Sequence, residues 1–196
     1  MQRYLKGKRI GLHGLSPEHL RSGAPYFSWL DDLSLDLFGE RSDFPNSPAR
    51  MEAYYAKACA NDDLVLMGIF DNVTNRHIGN ITLQQIDWVQ RRGFIGYLIG
   101  DKEFTGKGVA PEACLMIMYY GFNKLNLDRI WTTVAADHAA SLRVADKAGF
   151  VKEGVLRGHQ MRNGQRRDMC VFGALRSEWM TSRGAEALAL FTEPPV

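Results

Sequence analysis

Hydrophobic and polar positions follow one another along the chain in patterns that predict a series of strands and helices. Apolar, β-branched and aromatic runs bounded by turn residues predict strands at 9–15, 64–71, 77–88, 93–100 and 129–136. Apolar residues at helical spacing predict helices at 47–62, 110–125 and 139–150. The second, third and fourth of these strands are joined by short turns, so we expect them to form a meander.

Two further signals mark helix starts and a hairpin. Ser16-Pro17 and Ser47-Pro48 each combine a capping serine with a proline suited to the first helical position, which predicts a helical segment after each serine. Asn163-Gly164 is a strong hairpin signal and predicts two paired strands around it, reaching to about residue 176.

Composition indicates one globular domain. The chain has 196 residues, of which 45% are hydrophobic and 23% are charged, enough for one full core. We expect a single domain over residues 1–180 and a weakly specified tail over 181–196, to which no chemistry is assigned. A formal net charge of +2 gives no support to a nucleic-acid partner. With no apolar leader and no run of about 20 apolar residues, the sequence favours a cytoplasmic protein without membrane contact.

The cysteines indicate neither a disulfide framework nor a metal site. There are three of them, Cys59, Cys114 and Cys170, and they are widely spaced in apolar or helical contexts. An odd number at such spacing matches no disulfide or zinc pattern, so we expect reduced, buried thiols and no metal.

A glycine-rich stretch, EFTGKGVAPEA at residues 103–113, lies between strand 93–100 and helix 110–125. The glycines have two explanations: they form the turn between strand and helix, or they allow a phosphate to approach bare backbone amides at a helix N-terminus. The stretch is not a P-loop, because Gly108 follows Lys107, and Pro111 excludes the dinucleotide fingerprint. Glu112 is explained by a favourable interaction with the helix dipole.

Two motifs together resemble the GCN5-related N-acetyltransferase (GNAT) family. The family pattern Gln/Arg-x-x-Gly-x-Gly/Ala is matched at two of its three positions, and the marked residues here are Thr105, Gly108 and Ala110. The pattern Asn-x-x-Ser followed by Lys-x-Gly-Phe falls on His138, Ser141, Lys147, Gly149 and Phe150, with histidine where asparagine is usual. The resemblance runs from about residue 8 to 180 and is greatest to the subset with ribosomal-protein N-terminal and aminosugar acetyltransferases.

The resemblance implies an α/β (α+β) fold of the GNAT type. Its central sheet is mixed, mostly antiparallel and flanked by helices, and it splays apart between its fourth and fifth strands, here 93–100 and 129–136. It also implies an acyltransferase that transfers an acetyl group from acetyl-CoA, without a metal, to a primary amine on a small molecule or peptide. A homodimer is left open. A family member that binds acetyl-CoA without turnover is the alternative of another class.

The resemblance also implies a set of cofactor-binding residues. The pantetheine arm is expected along the strand backbone at Tyr97, Leu98 and Ile99. The phosphates are expected at Thr105, Gly106, Lys107, Gly108, Val109 and Ala110, with His138 and Ser141 completing the set. Two of these have ordinary alternatives, because Lys107 is also explained as a solvated surface lysine and Tyr97 as core packing.

Catalytic residues are less well indicated. Many members of the family use a tyrosine to protonate the departing thiolate, but the matching position holds Ala145. Ser141 is the nearest hydroxyl on the same predicted helix and is the expected acid, directly or through water; capping that helix is its alternative. His159 on the late hairpin is the expected base, because a histidine titrates near neutrality, and a surface histidine is its alternative.

The acceptor is not determined by the sequence. An acidic segment that would attract a cationic amine contains Asp31, Asp32, Asp36, Glu40 and Asp43, although a solvated face explains it equally. Basic residues that would bind a sugar nucleotide are Arg157, Arg162, Arg166 and Arg167. An aminosugar, often nucleotide-linked, is slightly favoured by the pattern of the late hairpin, with a protein N-terminus and a polyamine or drug amine as alternatives.

Overall fold

A computed structural model of the protein describes residues 4–32 and 44–193. Its centre is an eight-stranded sheet with the order β1-β2-β3-β4-β5-β6-β8-β7. The strands are β1 (Leu5–Lys6), β2 (Ile10–Gly14), β3 (Val65–Asp71), β4 (His77–Asp87), β5 (Arg92–Ile99), β6 (Arg129–Ala135), β7 (Val151–Arg162) and β8 (Gln165–Leu175). The helices are α1 (Pro25–Trp29), α2 (Pro48–Ala60), α3 (Val109–Asn123), α4 (Ala139–Lys147), α5 (Arg176–Ser182) and α6 (Gly184–Leu188).

The sheet is mixed and mostly antiparallel, which confirms the predicted fold class. Strands β3 to β5 form the predicted antiparallel meander, β2 pairs antiparallel with β3, and β5 and β6 run parallel to each other. The hairpin between β7 and β8 turns at Asn163 and Gly164, whose φ angles of 49° and 75° are those of the left-handed region. Positive φ at both central residues is the reason for the Asn-Gly sequence in such turns.

The parallel strands β5 and β6 separate after a short paired segment. They pair only through residues 92–94 and 129–131, and the Thr132 hydroxyl then donates to the Ile95 carbonyl at 3.0 Å. Beyond that bond β5 continues to Ile99, and the two strands share no further pairing among the described residues. The expected splay is therefore present as a fork, and the edge of β5 that faces β6 is open for other hydrogen-bond partners.

Each face of the sheet carries its own core, because successive strand residues point to opposite faces. On one face α3 contributes fully buried side chains such as Met116 and Ile117, and Trp179 of α5 packs into the same core. On the other face α1 and α2 cover a smaller core that includes Trp29 and Met51. Helices α1 and α2 therefore lie on the face of the sheet opposite to α3, so the fork has helices on both faces.

The chain after β8 contributes to the core, which its sequence pattern did not indicate. The Trp179 indole donates to the Ala148 carbonyl at 2.7 Å. In α6, Ala187 is fully buried, and Phe191 then bridges to Gly7 beside β1. The helices are too short to show a clear hydrophobic period, and their burial comes from tertiary packing.

A helical segment follows Ser16 as predicted, but it is a short 3-10 helix, Pro17–His19, and the next helix begins at Pro25. One local expectation was wrong: Cys59 is exposed on α2, whereas Cys114 and Cys170 are buried as expected, and all three are free thiols. None of the described helices has the length and apolar character needed to cross a bilayer.

A partly buried histidine, His77, lies among aromatic rings beside α1. The His77 ring stacks on Phe70 with centroids 4.9 Å apart, and Trp29 meets it edge-on at 5.1 Å. Its Nε2 is 2.9 Å from the Asn80 side-chain oxygen. Burial lowers the pKa of His77 from 6.5 to about 4, so the ring is neutral near neutral pH.

We expect His77 to make the free energy of unfolding depend on pH in the acid range. Between pH 6.5 and about 4 the unfolded chain binds a proton at His77 that the folded chain does not, so the contribution is fully present above pH 6.5 and is lost as the pH falls. The loss amounts to about 3 kcal/mol. Denaturant unfolding of wild type and His77→Gln across this range measures it, with His159→Gln as the exposed control. Equal slopes in wild type and His77→Gln would contradict the assignment.

Candidate functional site

The glycine loop between β5 and α3 has a backbone that requires glycine. Gly106 and Gly108 have φ angles of 76° and 79°, and Gly108 is the N-cap of α3 in the left-handed conformation. A Cβ added at Gly106 would meet no atom within 4 Å, and one at Gly108 would meet only Arg9 Nη1 at 3.8 Å. The glycines are therefore needed for the turn itself, and they also leave an open surface in front of the loop.

This loop presents several backbone amides without internal partners. Residues 105–108 are exposed, and no described backbone carbonyl accepts from the amides of Gly106 and Gly108. Val109 and Ala110 begin a 15-residue helix, so their amides belong to the first turn that has no partners within the helix. Pro111, which has no N–H, occupies the next position without loss. Free amides and the positive end of the helix dipole together form an anion site.

The Lys107 side chain lies beside this site without being fixed to it. Its ammonium group is 5.6 Å from the centre of the Phe104 ring, and the residue is exposed. The structure is consistent with a movable positive charge near the loop and equally with a solvated lysine.

An ion pair between the exposed side chain of Arg9 and the buried Glu112, which sequence reasoning missed, lies beside the loop. Arg9 donates through Nη2 to the Lys107 carbonyl at 2.7 Å, and its Nε is 3.3 Å from a Glu112 carboxylate oxygen. Glu112 is only 6% exposed, and burial raises the pKa of its carboxyl against the opposing effect of the Arg9 charge. The interpretation of Glu112 as a surface partner of the helix dipole is therefore incomplete, because Arg9 is its main charged neighbour.

Tyr97 on β5 points toward α3 and α4, beside the fork. Its ring packs against the larger core, which agrees with the packing alternative, but its buried hydroxyl has no hydrogen-bond partner among the described residues. Burial raises the pKa of Tyr97 well above its usual range, the Cys114 thiol adds to the effect, and the neighbouring Ser141 hydroxyl opposes it. The structure thus brings Tyr97 and Ser141 together from two separate elements.

His138 and Ser141 have distinct roles at the start of α4. His138 is the N-cap, and its Nδ1 accepts the Ser141 amide at 3.1 Å. Ser141 is three residues into the helix and half-buried, so its hydroxyl is not the capping group. His138 therefore caps α4, and the Ser141 hydroxyl takes no part in that cap. Ala145, where the family tyrosine is usual, is 3% exposed.

His159 is not brought to this place. It lies exposed on β7, which pairs with β8 alone and forms the edge of the described sheet. The structure shows no contact between His159 and either Tyr97 or Ser141 in the part of the chain that it describes. Its role as a base remains a prediction.

Several charged residues that the sequence suggests for acceptor binding form ion pairs or hydrogen bonds with other groups of the protein. Arg167 pairs with Asp137 at 2.5 Å, and Arg166 donates to the Gly158 carbonyl at 2.9 Å. Asp32 pairs with Lys102 at 2.9 Å, and Asp31 accepts the Asn46 amide at 2.8 Å. Asp36, Glu40 and Asp43 lie outside the described residues.

A cavity of about 570 Å³ opens between α1 and the ends of β4 and β5. Its lining residues are Pro25, Trp29, Asp32, Arg76, His77, Gly100, Asp101 and Lys102. Two acidic and two basic side chains balance each other here, and Arg76 pairs with Asp101 at 2.6 Å. The cavity is therefore aromatic and locally neutral, and its charges do not select an anion or a cation. No group of three or more potential metal ligands occurs among residues 4–32 and 44–193.

Comparison with known proteins gives a consistent result. Residues 9–151 match the family model described as an acetyltransferase (GNAT) domain. The putative ribosomal N-acetyltransferase YdaF of Bacillus subtilis is 37% identical over 101 residues, which are 52% of this chain and 55% of that protein. Spermidine N(1)-acetyltransferase of Escherichia coli is 35% identical over 97 residues, 48% of this chain and 52% of that protein. Each match thus spans about half of the relative.

A longer match and a solved structure extend the comparison. An uncharacterized prophage-derived N-acetyltransferase of Bacillus subtilis, YokL, is 29% identical over 182 residues, 92% of this chain and 98% of that protein. The structure of spermidine N-acetyltransferase from Vibrio cholerae in complex with CoA and spermine superposes with a TM-score of 0.77 at 24% identity, covering 88% of this chain and 98% of that one. That structure shares the fold over most of this chain. Because the family model matches residues 9–151, most of the chain, this protein belongs to the GNAT acetyltransferase family.

Proposed function

We propose that this N-acetyltransferase holds the phosphates of acetyl-CoA on the loop at residues 105–110 and the pantetheine arm in the fork between β5 and β6. One observation carries the proposal: the open edge of β5 leads directly into a loop of free amides at the N-terminus of α3. A ligand with a polar chain and a phosphate group at one end fits both parts at once.

The backbone of β5 suits the pantetheine arm. Tyr97, Leu98 and Ile99 pair with β4 on one side, and their other side faces the fork. Amide groups of the arm can form strand-like hydrogen bonds there, as a third strand would. His138 and Ser141 lie at the opposite wall of the fork, where α4 begins. Thr105, Lys107, Val109 and Ala110 complete the proposed contacts at the loop.

Acetyl-CoA supplies the activated acetyl thioester that a neutral primary amine attacks. The protein must then provide a proton for the departing thiolate of coenzyme A. We assign this role to the Ser141 hydroxyl, with the Tyr97 hydroxyl as its neighbour. His159 is exposed, so it would act as a base through water and not by direct contact. An acceptor amine that binds in its protonated form must lose a proton before it attacks, so it needs a route to a base such as this one.

For the acceptor, we favour a cationic primary amine, either a polyamine or a peptide N-terminus. Two of the arginines that would bind the phosphates of a sugar nucleotide, Arg166 and Arg167, already bind groups of the protein. The sequence preference for an aminosugar therefore loses part of its support. Two relatives are named for ribosomal and spermidine acetylation, which supports cationic acceptors.

Thiol release from acetyl-CoA with a panel of amines tests this acceptor class. Spermidine and a short basic peptide with a free N-terminus are compared with a nucleotide-linked aminosugar, and the N-acetylated form of the same peptide is the matched control. We expect release with a cationic acceptor at least tenfold faster than with the sugar, and a lower rate as salt is raised well above about 0.1 M.

The opposite pattern would overturn the acceptor assignment. If the sugar nucleotide is the best substrate and Arg166→Gln with Arg167→Gln abolishes its turnover, the hairpin binds phosphates and the cationic class is wrong. If no amine releases thiol although acetyl-CoA binds, the residue roles proposed for the fork are wrong as well.

A further inference from the structure

The peptide between Lys107 and Gly108 is followed by a glycine, which restricts its rotation little. Gly108 lacks a Cβ and has a φ of 79°. A peptide group followed by glycine can rotate so that its carbonyl and amide exchange directions. An anion site built from amides needs one of these two orientations and is weakened by the other.

Arg9 selects one orientation. Its Nη2 donates to the Lys107 carbonyl at 2.7 Å, so this carbonyl points toward Arg9. In a trans peptide the carbonyl and the following N–H point in opposite directions. The Gly108 amide is therefore directed away from Arg9, toward the exposed side of the loop, where no described carbonyl accepts from it.

Arg9 is itself held from two sides. Its own carbonyl accepts the Asn72 amide at 2.9 Å, which fixes its backbone to the end of β3. Its Nε lies 3.3 Å from the carboxylate of Glu112, a buried residue in the first turn of α3. The planar guanidinium can contact the carbonyl and the carboxylate at once, which a lysine ammonium cannot do in the same geometry.

We propose that Arg9 is a positioning residue for cofactor binding, which aims the Gly108 amide at the phosphates of acetyl-CoA by holding the Lys107 carbonyl. This inference rests on the phosphate loop proposed above. Glu112 is the buried counter-charge that holds Arg9 in place. The nearest marked family position, Gly108, is distant from Arg9 in sequence, so no local motif predicts the contact.

Three acetyl donors test the role of Arg9. Acetyl-CoA carries the pyrophosphate and a 3′-phosphate, acetyl-dephospho-CoA keeps only the pyrophosphate, and acetyl-pantetheine has neither. With Arg9→Lys we expect KM to rise about tenfold for acetyl-CoA and for acetyl-dephospho-CoA, with kcat nearly unchanged. For acetyl-pantetheine we expect KM to match the wild type, because the Gly108 amide has no phosphate to bind.

Arg91→Lys is the matched control. Arg91 also joins a backbone carbonyl, of Asn126 at 2.8 Å, to a carboxylate, of Asp128 at 3.0 Å, but it lies at the opposite end of β5 from the loop. We expect this variant to leave all three KM values unchanged. Glu112→Gln keeps an oxygen for Arg9 but removes the charge, so we expect a smaller KM increase with the same dependence on the donor.

Each other result identifies what has failed. An Arg9→Lys defect that disappears with acetyl-dephospho-CoA means that Arg9 binds the 3′-phosphate directly, which overturns the positioning role. An increase in KM that is equal for all three donors means a general structural effect and also overturns the positioning role. Wild-type KM values in both Arg9→Lys and Glu112→Gln overturn it as well. If wild type itself does not prefer acetyl-CoA to acetyl-pantetheine, the phosphate loop is wrong, independently of Arg9.

Discussion

Replacing Gly108 with valine is expected to weaken acetyl-CoA binding by at least tenfold while the fold is kept. Gly108 has a φ of 79° as the N-cap of α3, a conformation that a β-branched residue adopts only with strain. Relief of this strain turns the backbone and moves the Gly108 amide out of the phosphate site. The side chain would also stand on the open surface in front of the loop. Calorimetric titration with acetyl-CoA measures the loss.

Gly164→Val provides the matched control for backbone strain. Gly164 has nearly the same φ, 75°, and a Cβ there would meet no atom within 4 Å, while one at Gly108 would make only an ordinary contact with Arg9 at 3.8 Å; Gly164 lies in the hairpin between β7 and β8. Both variants should therefore lose a similar amount of thermal stability, while only Gly108→Val loses affinity. Unchanged affinity in Gly108→Val, or an equal loss of affinity in both, would contradict the phosphate-loop assignment.

The elements predicted from the sequence are those whose signals are local. Helix α3 and strands β4 to β6 agree with their predicted bounds within two residues, because long apolar runs and glycine turns leave few alternatives. The Asn163-Gly164 hairpin is likewise a local feature. Helices α5 and α6 were missed because each is short and packs against α3, far away in sequence, as the Trp179 ring of α5 does against Phe122 of α3.

The same distinction applies to the candidate site. The glycines of the loop could be identified because their backbone requirement is visible in the residues themselves. Arg9 could not be identified in this way, because its contact with Lys107 joins the start of β2 to the loop before α3, far away in sequence. The proximity of Tyr97 to Ser141 also involves two separate elements, and sequence reasoning named both residues without relating them.

The position of Ser141 makes its substitution unusually informative. The serine contributes its amide, and not its hydroxyl, to the cap formed by His138. Alanine keeps that amide and has a higher helix propensity than serine, so Ser141→Ala should fold and melt like the wild type. Any loss of activity in this variant then reports on the hydroxyl alone.

We expect Ser141→Ala to lower turnover about a hundredfold, the usual range for loss of a general acid, with a much smaller change in the KM for acetyl-CoA. A more acidic thiol leaves without needing a proton, so the defect should shrink with an acetyl thioester of such a thiol. Tyr97→Phe removes the neighbouring hydroxyl and keeps the ring in the core. If the two hydroxyls act as one proton path, the double variant loses no more than Ser141→Ala alone. Wild-type turnover in Ser141→Ala would mean that water protonates the thiolate unaided, and full additivity in the double variant would mean that the two hydroxyls act separately.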